Sequence, residues 1–527
     1  MADAAPKSGV VFQINAGEGE KAISPFVYGM GLVYTNQDYY PPQPYAPPPN
    51  NIPLFRIGGD DWTPSNWTNN ATNHGAGWHN QNSLQPHVPD DALDSPGGVV
   101  QGDVQRAFAQ KASIIVTVPM LGYVAADTDD TDVTRTPDFI HTRFKPSAAK
   151  KGAPFGPGDP AAPVVYQDEF VQVLEGRFPD AHKAAGPTIL YSLDNEPDLW
   201  RETHSKIHDF PTTYQEMFSK TIDYSKAIKT LAPQALVMGP VTSGWAANVG
   251  LAGAPDAGQY RGDFLDNYIA ATKGWVDVLD THYYPAGNLD GKMMDMSQSK
   301  LSEFSSPAAR ALRVQLPRTL WDPGFLETGW ESFDPTDGEP LRLIPRLQEK
   351  IDRLNPGMKI AITEYYFGAS MDISGGIAQA DALGIFGREG VFAANVLPNA
   401  ENKQVFLYAA FNMFRNFNGK NGEFGNVSIP ATTSNVKKTS IYASTDAGKR
   451  NRLVLVAINK GLTALNASIQ VNFDSAEILT KAEVYQLTAS TSAPQKRPDI
   501  AVTSASGKTT FPYTLPAMSV TTMVLKP

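Results

Sequence analysis

Two stretches of this chain are built alike, and they limit its fold more than any other feature. Residues 188–193 form an apolar, β-forming run preceded by Gly186-Pro187, and the run breaks off into Asp194-Asn195-Glu196-Pro197. Lys359-Ile360-Ala361-Ile362-Thr363-Glu364-Tyr365 repeats the design, an apolar run that carries a glutamate at its end. Apolar runs without polar alternation suit strands covered on both faces, as in a parallel sheet. In a parallel (β/α)₈ barrel the C-terminal strand ends line one open mouth. Two strands of such a barrel that each end in a glutamate are therefore expected to bring two carboxyls to one cleft.

The rest of the chain supplies the remaining strands. Strand-like runs at 25–30, 54–59, 113–118, 188–193, 235–240, 276–284, 359–365 and 391–396 alternate with helical stretches at 102–111, 169–178, 212–231, 263–273, 341–355, 374–387 and 405–414. That order predicts a closed TIM-like barrel. An open doubly wound sheet wants a glycine-rich phosphate loop after its first strand, and Gly29-Met30-Gly31 lacks the rest of that fingerprint. A long polar loop after the second strand, from Asp60 to about Gly98, holds Trp62, Trp67 and Trp78. Loops of that length are usually functional.

After about residue 425 the texture changes to short alternating runs at 440–444, 453–459, 467–473, 482–487, 509–513 and 519–525, which predict an antiparallel β-sandwich. The short run at 10–15 is expected to complete one of its sheets. A chain of 527 residues is too long for one ordinary domain. The expected division is a joining strand within 10–20, a catalytic barrel at 21–424 and a sandwich at 425–527. All eight tryptophans precede the sandwich, so a packing role is expected for it rather than sugar binding on aromatic platforms.

A net charge of −10 speaks against nucleic acid or an anionic membrane as partner and suits a neutral ligand. With no cysteine, disulfides, thiolate metal sites and cysteine nucleophiles are excluded. No window approaches the roughly 18 apolar residues of a membrane span. The start, Met1-Ala2-Asp3-Ala4-Ala5-Pro6, has no apolar signal segment; a mature end left by signal removal reads this way, and an extracellular monomer is expected. The proline-dense stretch 39–49 is expected as an extended loop at the barrel mouth.

Paired carboxyls at a barrel mouth suit cleavage of a glycosidic bond. One carboxylic acid protonates the leaving oxygen and a second carboxylate works from the other side of the sugar; in retaining enzymes the two lie about 5–5.5 Å apart. Asn195, beside Glu196, is placed to donate to a sugar 2-hydroxyl. His282 and Tyr283 end the sixth strand, next to the strand that carries Glu364, where they can orient it. A lone glutamate at a strand end is more often a cap or an ion-pair partner, but two on such strands, with Asn before one, point to catalysis. His204 and His208 have the i, i+4 spacing of a metal pair, but no Glu-x-x-His pattern frames them and Pro211 indicates a loop.

Longer motifs surround these residues. They are Tyr191-Ser192-Leu193-Asp194-Asn195-Glu196-Pro197 with Leu199-Trp200; Thr203-His204 and Ile207-His208; Asp277-Val278-Leu279-Asp280 with His282 and Tyr284-Pro285; Pro317-Arg318-Thr319-Leu320-Trp321-Asp322-Pro323; and Ile360-Ala361-Ile362-Thr363-Glu364-Tyr365 leading into Gly375-Gly376-Ile377-Ala378-Gln379-Ala380-Asp381. On these the chain resembles glycoside hydrolase family 44, endoglucanases and xyloglucanases built from a TIM-like barrel and a β-sandwich. The resemblance implies a secreted, retaining endo-β-1,4-glucanase or xyloglucanase acting on β-glucan, with Glu196 as acid/base and Glu364 as nucleophile. It also implies that Asn195, His282, Tyr284, Trp62, Trp321, Tyr365 and Asp60 contact substrate. Mannan or mixed-linkage glucan as substrate, and a non-catalytic carbohydrate-binding protein, are the competing readings.

The chain departs from the family pattern in places. Asp60-Asp61-Trp62 stands where Asn-Arg-Tyr is usual, Leu397-Pro398 where a tryptophan platform is usual, and Tyr366 where an aspartate is common. No cofactor is expected. Of the family's calcium ligands Asp159 and Asp168 match, while Ala162 and Thr68 stand where acidic residues are expected.

Overall fold

The computed structural model describes residues 9–17, 19–32, 49, 51–85, 95–184, 186–297, 305–329, 338–397, 404–473, 479–505 and 507–526. The chain start at 1–8 and the proline-dense stretch, Pro49 excepted, lie outside the described residues. Eight parallel strands close into a barrel: Gly29–Gly31, Leu54–Ile57, Ser113–Val118, Ile189–Leu193, Val237–Thr242, Val278–Tyr283, Lys359–Tyr365 and Ala393–Val396, here strands 1 to 8. Strand 1 is shorter than expected. Pro25–Tyr28 coils into a 3₁₀ turn instead, because Pro25 suits a first helical position and the Ser24 hydroxyl accepts the Phe26 N–H at 3.3 Å.

Side chains alternate along each strand, so the inward face can be followed upward. Leu54, Ile115, Leu190, Met238, Val278 and Ala361 pack together inside the barrel. Burying each large apolar side chain contributes roughly 1.5–3 kcal/mol, which makes this end a solid plug. Two residues further along strands 2, 4 and 6 the same face carries Arg56, Ser192 and Asp280, all buried. The barrel thus turns from apolar floor to polar mouth within one side-chain layer. The pairing of strands 6 and 7 shifts register between Thr281 and His282, which sets His282 opposite Glu364. Such irregularities re-aim side chains next to active sites.

The sandwich consists of a five-stranded and a seven-stranded sheet. The N-terminal strand Val10–Ala16 does join it, but runs parallel to Leu465–Phe473, from Val10 opposite Ala467 to Ala16 opposite Phe473. The sandwich is therefore not wholly antiparallel. A strand arriving from the far end of the chain is free of the hairpin geometry that makes its neighbours antiparallel. A further strand, Thr491–Ala501, was not expected, since Ser492, Pro494 and Pro498 read as loop. It lies at a sheet edge, mostly exposed, paired with Lys481–Thr488. Edge strands tolerate proline because one row of their N–H groups needs no partner.

The helix after strand 7 (Ile373–Glu389) and the helix after strand 8 (Val405–Arg415) bury apolar faces against the seven-stranded sheet, and one apolar core runs from Leu383, Phe386 and Phe411 to Val454, Val456 and Val520. Gly384 lets the helix approach: a Cβ there falls 2.3 Å from Cδ2 of the Tyr442 ring. Beside it Asp381 accepts a hydrogen bond from the Tyr442 hydroxyl at 2.6 Å and forms an ion pair with the Lys460 ammonium at 2.6 Å.

Candidate active site

The mouth is organised by a charged residue inside an apolar strand. Arg56, on strand 2, sends Nη1 to Glu364 Oε1 at 2.5 Å and Nη2 to Asn195 Oδ1 at 2.8 Å. The guanidinium folds back over Gly58, where a Cβ falls 2.2 Å from Arg56 Cζ. With both ends of the guanidinium tied, it has nowhere to move, so position 58 requires glycine.

The end of strand 4 is held by Asp194. Its buried carboxylate accepts from Thr63 Oγ1 at 2.7 Å, Asn195 N at 2.8 Å, Leu121 N at 3.1 Å and Trp200 Nε1 at 3.2 Å, as well as from Met120 N. Glu196 follows with a left-handed backbone, φ 42°, a conformation that costs a non-glycine residue roughly 1–2 kcal/mol. The Glu196 N–H to the Val241 carbonyl at 2.9 Å, and Leu199 N–H back to the Glu196 carbonyl at 2.8 Å, keep it there. The tight turn aims the carboxyl back over the mouth.

The two glutamates meet at His282. Glu196 Oε1 lies 2.8 Å and Glu364 Oε2 3.6 Å from His282 Nδ1. One oxygen of each glutamate and one nitrogen of His282 lie within 4.8 Å of one another. Oxygens that close are in keeping with a retaining pair, whose carboxyls lie roughly 5–5.5 Å apart. The Tyr284 hydroxyl donates to Glu364 Oε2 at 2.7 Å. Burial first, and then the neighbouring Glu364 and Glu196, raise the Tyr284 phenol well above its ordinary value, so it remains a donor.

The protonation states separate the two glutamates. Burial raises the Glu196 carboxyl, Glu364 and Asp198 push the same way, and Arg56 offsets only part, so it lies well above the usual carboxylate range. Burial pushes Glu364 up as well. The charge that His282 carries when protonated, the Arg56 guanidinium, and hydrogen bonds from Tyr284 and Arg56 outweigh that and hold it below the usual range. Burial holds the His282 imidazole down, toward its neutral form, which makes the Arg56 guanidinium the cation that counts. Two carboxyls whose environments drive them apart in this way make an acid and an anion, the assignment that bond cleavage at a sugar needs.

The family profile of glycoside hydrolase family 44 matches residues 58–287. Over 99% of its length the chain is 34% identical to Endoglucanase A of Paenibacillus lautus, and it covers 73% of that protein. The chain belongs to glycoside hydrolase family 44. A family 44 xyloglucanase from Paenibacillus polymyxa, solved with xyloglucan, superposes with a TM-score of 0.87 at 29% identity, over 98% of this chain and 99% of that one. A family 44 endoglucanase from Clostridium thermocellum gives 0.87 at 31%, over the same shares. The protein is thus a glycoside hydrolase with the barrel-plus-sandwich architecture of its family.

Within this family 44 site the structure sorts the residues picked out from sequence. Glu196, Glu364, Asn195, His282, Tyr284 and Asp60 come together, Asp60 through Oδ1, which accepts from Asn195 Nδ2 at 3.1 Å. His282 is fully buried and faces the carboxyls rather than the open cleft. Three others correct the expectation. Trp62 is 3% exposed and belongs to the core, so it has no free ring face for a sugar. Tyr365 points the opposite way from Glu364, fully buried against Phe386, with its hydroxyl accepting from Gln379 Nε2 at 2.7 Å. Trp321 stacks under the Arg388 guanidinium at 4.0 Å. Arg388 lies in the last turn of the helix Ile373–Glu389, more than 20 Å from its mouth end at about 1.5 Å per residue, and near the sandwich residue Tyr442. Leu397, where a sugar platform is usual, follows strand 8 and packs against Gly31.

Arg56 was not picked out from sequence, although an arginine between Phe55 and Ile57 in an apolar strand before two glycines is a signal that was available. The loop after strand 2 holds a second unforeseen feature. Asp61 Oδ1, His74 and Ser83 Oγ form a chain at 2.7 and 2.5 Å with the connectivity of a serine-hydrolase triad. Ser83 is 3% exposed and also donates to the Leu84 carbonyl, so the chain is a strut that stiffens the loop rather than a nucleophile.

The carboxylates that match the family's calcium ligands are already engaged. Asp168 accepts N–H groups from Lys151 and Gly152, and the neighbouring Glu169 takes the Lys151 ammonium at 2.6 Å and the Gly156 N–H at 2.8 Å. Asp159 is exposed and bonds to Ala161 N, and the Thr68 hydroxyl donates to Asn66. With the Lys151 ammonium on Glu169 and backbone N–H groups on Asp168, this donor set is already engaged and does not fit a divalent cation. His204 and His208 do not converge either: His204 Nε2 lies 3.1 Å from the Asp60 carbonyl oxygen and His208 Nε2 3.2 Å from Glu216.

Proposed function

We propose that this chain is a retaining endo-β-1,4-glucanase that accepts xyloglucan and works by double displacement. The observation that carries the reading is the pair itself: two carboxyls within retaining distance, one anchored to a guanidinium and the other raised by burial. Glu364, held at Oε1 by Arg56 and at Oε2 by Tyr284, attacks the anomeric carbon. Glu196 gives its proton to the leaving glycosidic oxygen, and a covalent glycosyl-enzyme forms. Glu196, now a carboxylate, then takes a proton from water, which attacks the same carbon and releases Glu364. Asn195 has its amide oxygen on Arg56 and one N–H on Asp60, which leaves one N–H for the sugar 2-hydroxyl, a contact that strengthens in the transition state.

The substrate class follows from the relatives that act on glucan and xyloglucan, and from a net charge of −10 that suits a neutral polymer. A polysaccharide of that size does not cross a cell membrane, so the enzyme is expected to work outside the cell; no helix among the described residues is long and apolar enough to span a membrane. The deciding experiment is proton NMR of the first products from a soluble β-glucan or xyloglucan. A β-anomeric signal that appears first supports the double displacement, and an initial α signal overturns it.

A further inference from the structure

Among the described residues the mouth holds more carboxyls than its cations can match. Asp60, Glu196 and Glu364 all repel one another there. Strand 2 contributes Arg56, whose guanidinium is committed to Glu364 and Asn195. Strand 6 contributes His282, which burial holds toward neutral. The turn after strand 4 contributes Asp198, itself bonded to Ser243 N and Oγ, and His204, whose Nε2 meets the Asp60 carbonyl and which burial pushes down to about 4. On the loop of Asp60 itself, Asp61 has a partner in His74. His282 is the group facing Asp60 from these elements whose charge favours the ionised form, and burial holds that imidazole toward neutral. Its Oδ1 has one bond, from Asn195, and its Oδ2 has no partner among the described residues.

An uncompensated carboxylate in such surroundings is costly, and the cheaper state is the neutral acid. Burial above all, then Glu196, Glu364 and Asp61, push the Asp60 carboxyl up to about 8, and His282 offsets only part of this. A neutral carboxyl has what a carboxylate lacks, an O–H donor beside its acceptor oxygen. Oδ1 accepts from Asn195 while Oδ2–H is free to donate.

We propose that Asp60 acts as a neutral acid in this cleft, with Oδ1 fixing the Asn195 amide and Oδ2–H donating to a hydroxyl of the bound sugar, so that turnover requires two protons, one on Glu196 and one on Asp60. This rests on the acid and nucleophile roles given above to Glu196 and Glu364. Loss of the Asp60 proton removes the donor and adds a second unmatched charge beside Glu364. The two protons interact, so the apparent values belong to the cluster rather than to either residue.

The test is the alkaline limb of kcat/KM against pH on a soluble β-glucan. In the wild type its logarithmic slope should approach about −2, and in Asp60→Asn it should relax to about −1, whatever the maximal rate of the variant. A structural role for Asp60 changes the height of the curve but not its slope. A wild-type slope of about −1, or parallel limbs in both proteins, overturns the proposal. If Asp60→Asn does not fold, Asp60→Ser gives the same comparison, and the wild-type slope decides by itself. Glu196→Gln, assayed on an activated aryl glycoside that needs no acid, separates the two levels. A residual single-proton limb supports the Asp60 assignment, and a flat profile overturns it while the role of Glu196 stands. Full wild-type activity of Glu196→Gln on polysaccharide overturns the role of Glu196 itself.

Discussion

Buried charge is handled in opposite ways at two places in this protein. Where the barrel meets the sandwich, Asp381 and Lys460, 1% and 2% exposed at their side chains, face each other at 2.6 Å, and Tyr442 takes the other carboxylate oxygen. One anion meets one cation, and the pair is closed. At the barrel mouth, among the described residues, three carboxyls crowd together and the one guanidinium is bonded to a single one of them, Glu364. A matched pair stores nothing that a substrate can use. An unmatched set holds protons that a substrate can take, and this is how one fold keeps a joint and a reactive centre apart.

The sharpest way to break the contrast is to remove charge on each side. Glu364→Gln takes away the anion that Arg56 serves, and hydrolysis should fall on the order of 10⁵-fold, as when a nucleophile that acts as part of a unit is lost. Glu196→Ala should lose about 10²–10⁴-fold on polysaccharide but much less on aryl glycosides with good leaving groups, where acid assistance matters least. Azide should then yield a β-glycosyl azide with the second variant. Equal losses on both substrate types with no azide adduct would show that the roles are misassigned.

At the joint the same operation should affect stability, not chemistry. Lys460→Met leaves Asp381 buried without its cation, which typically costs about 3–5 kcal/mol. Thermal unfolding should move down markedly while kcat/KM of the folded protein stays at the wild-type value. Replacing both residues, as Asp381→Leu with Lys460→Met, should recover much of the loss, because an apolar pair of similar volume replaces an ion pair at little net cost. A double variant as unstable as the single one would mean that Tyr442 and Asp381, rather than the ion pair, hold the joint.

The smallest expected effect sharpens the comparison inside the cleft. The Tyr284 hydroxyl is one of the groups that lower Glu364, so Tyr284→Phe should let its carboxyl rise. Glu364 must be ionised to attack, and the acid limb of kcat/KM should therefore move to higher pH, by up to about one unit, or 1.4 kcal/mol. An acid limb that does not move would show that Arg56 alone sets the charge on Glu364.

Much of this was legible in the sequence, for physical reasons. Strands buried on both faces write themselves as unbroken apolar runs, and the polar residues that end them mark the mouth, which is why Glu196, Asn195 and Glu364 stand out. Parity is legible as well. Neighbouring side chains on a strand point opposite ways, so a cleft-facing Glu364 implies that Tyr365 looks outward. Trp62 and Trp321 were misplaced for another reason: both lie in long connections without periodicity, where nothing in the sequence tells a sugar platform from a ring packed in the core or under Arg388. The strand Thr491–Ala501 escaped because an edge strand lets polar residues and proline stand where an interior strand requires apolar ones.

The parallel pairing of Val10–Ala16 with Leu465–Phe473 has a consequence for how the molecule comes into being. The strand synthesised early has no partner until the strands synthesised late emerge, so the five-stranded sheet cannot be completed before Leu465–Phe473 and Lys508–Leu515 have been made. Long-range pairings of this kind are slow to form. A barrel already condensed between the two ends shortens the gap that remains to be closed, and the entropy of closing even a long loop grows only with the logarithm of its length. Once formed, the seven register pairs tie two segments more than 450 residues apart in the chain.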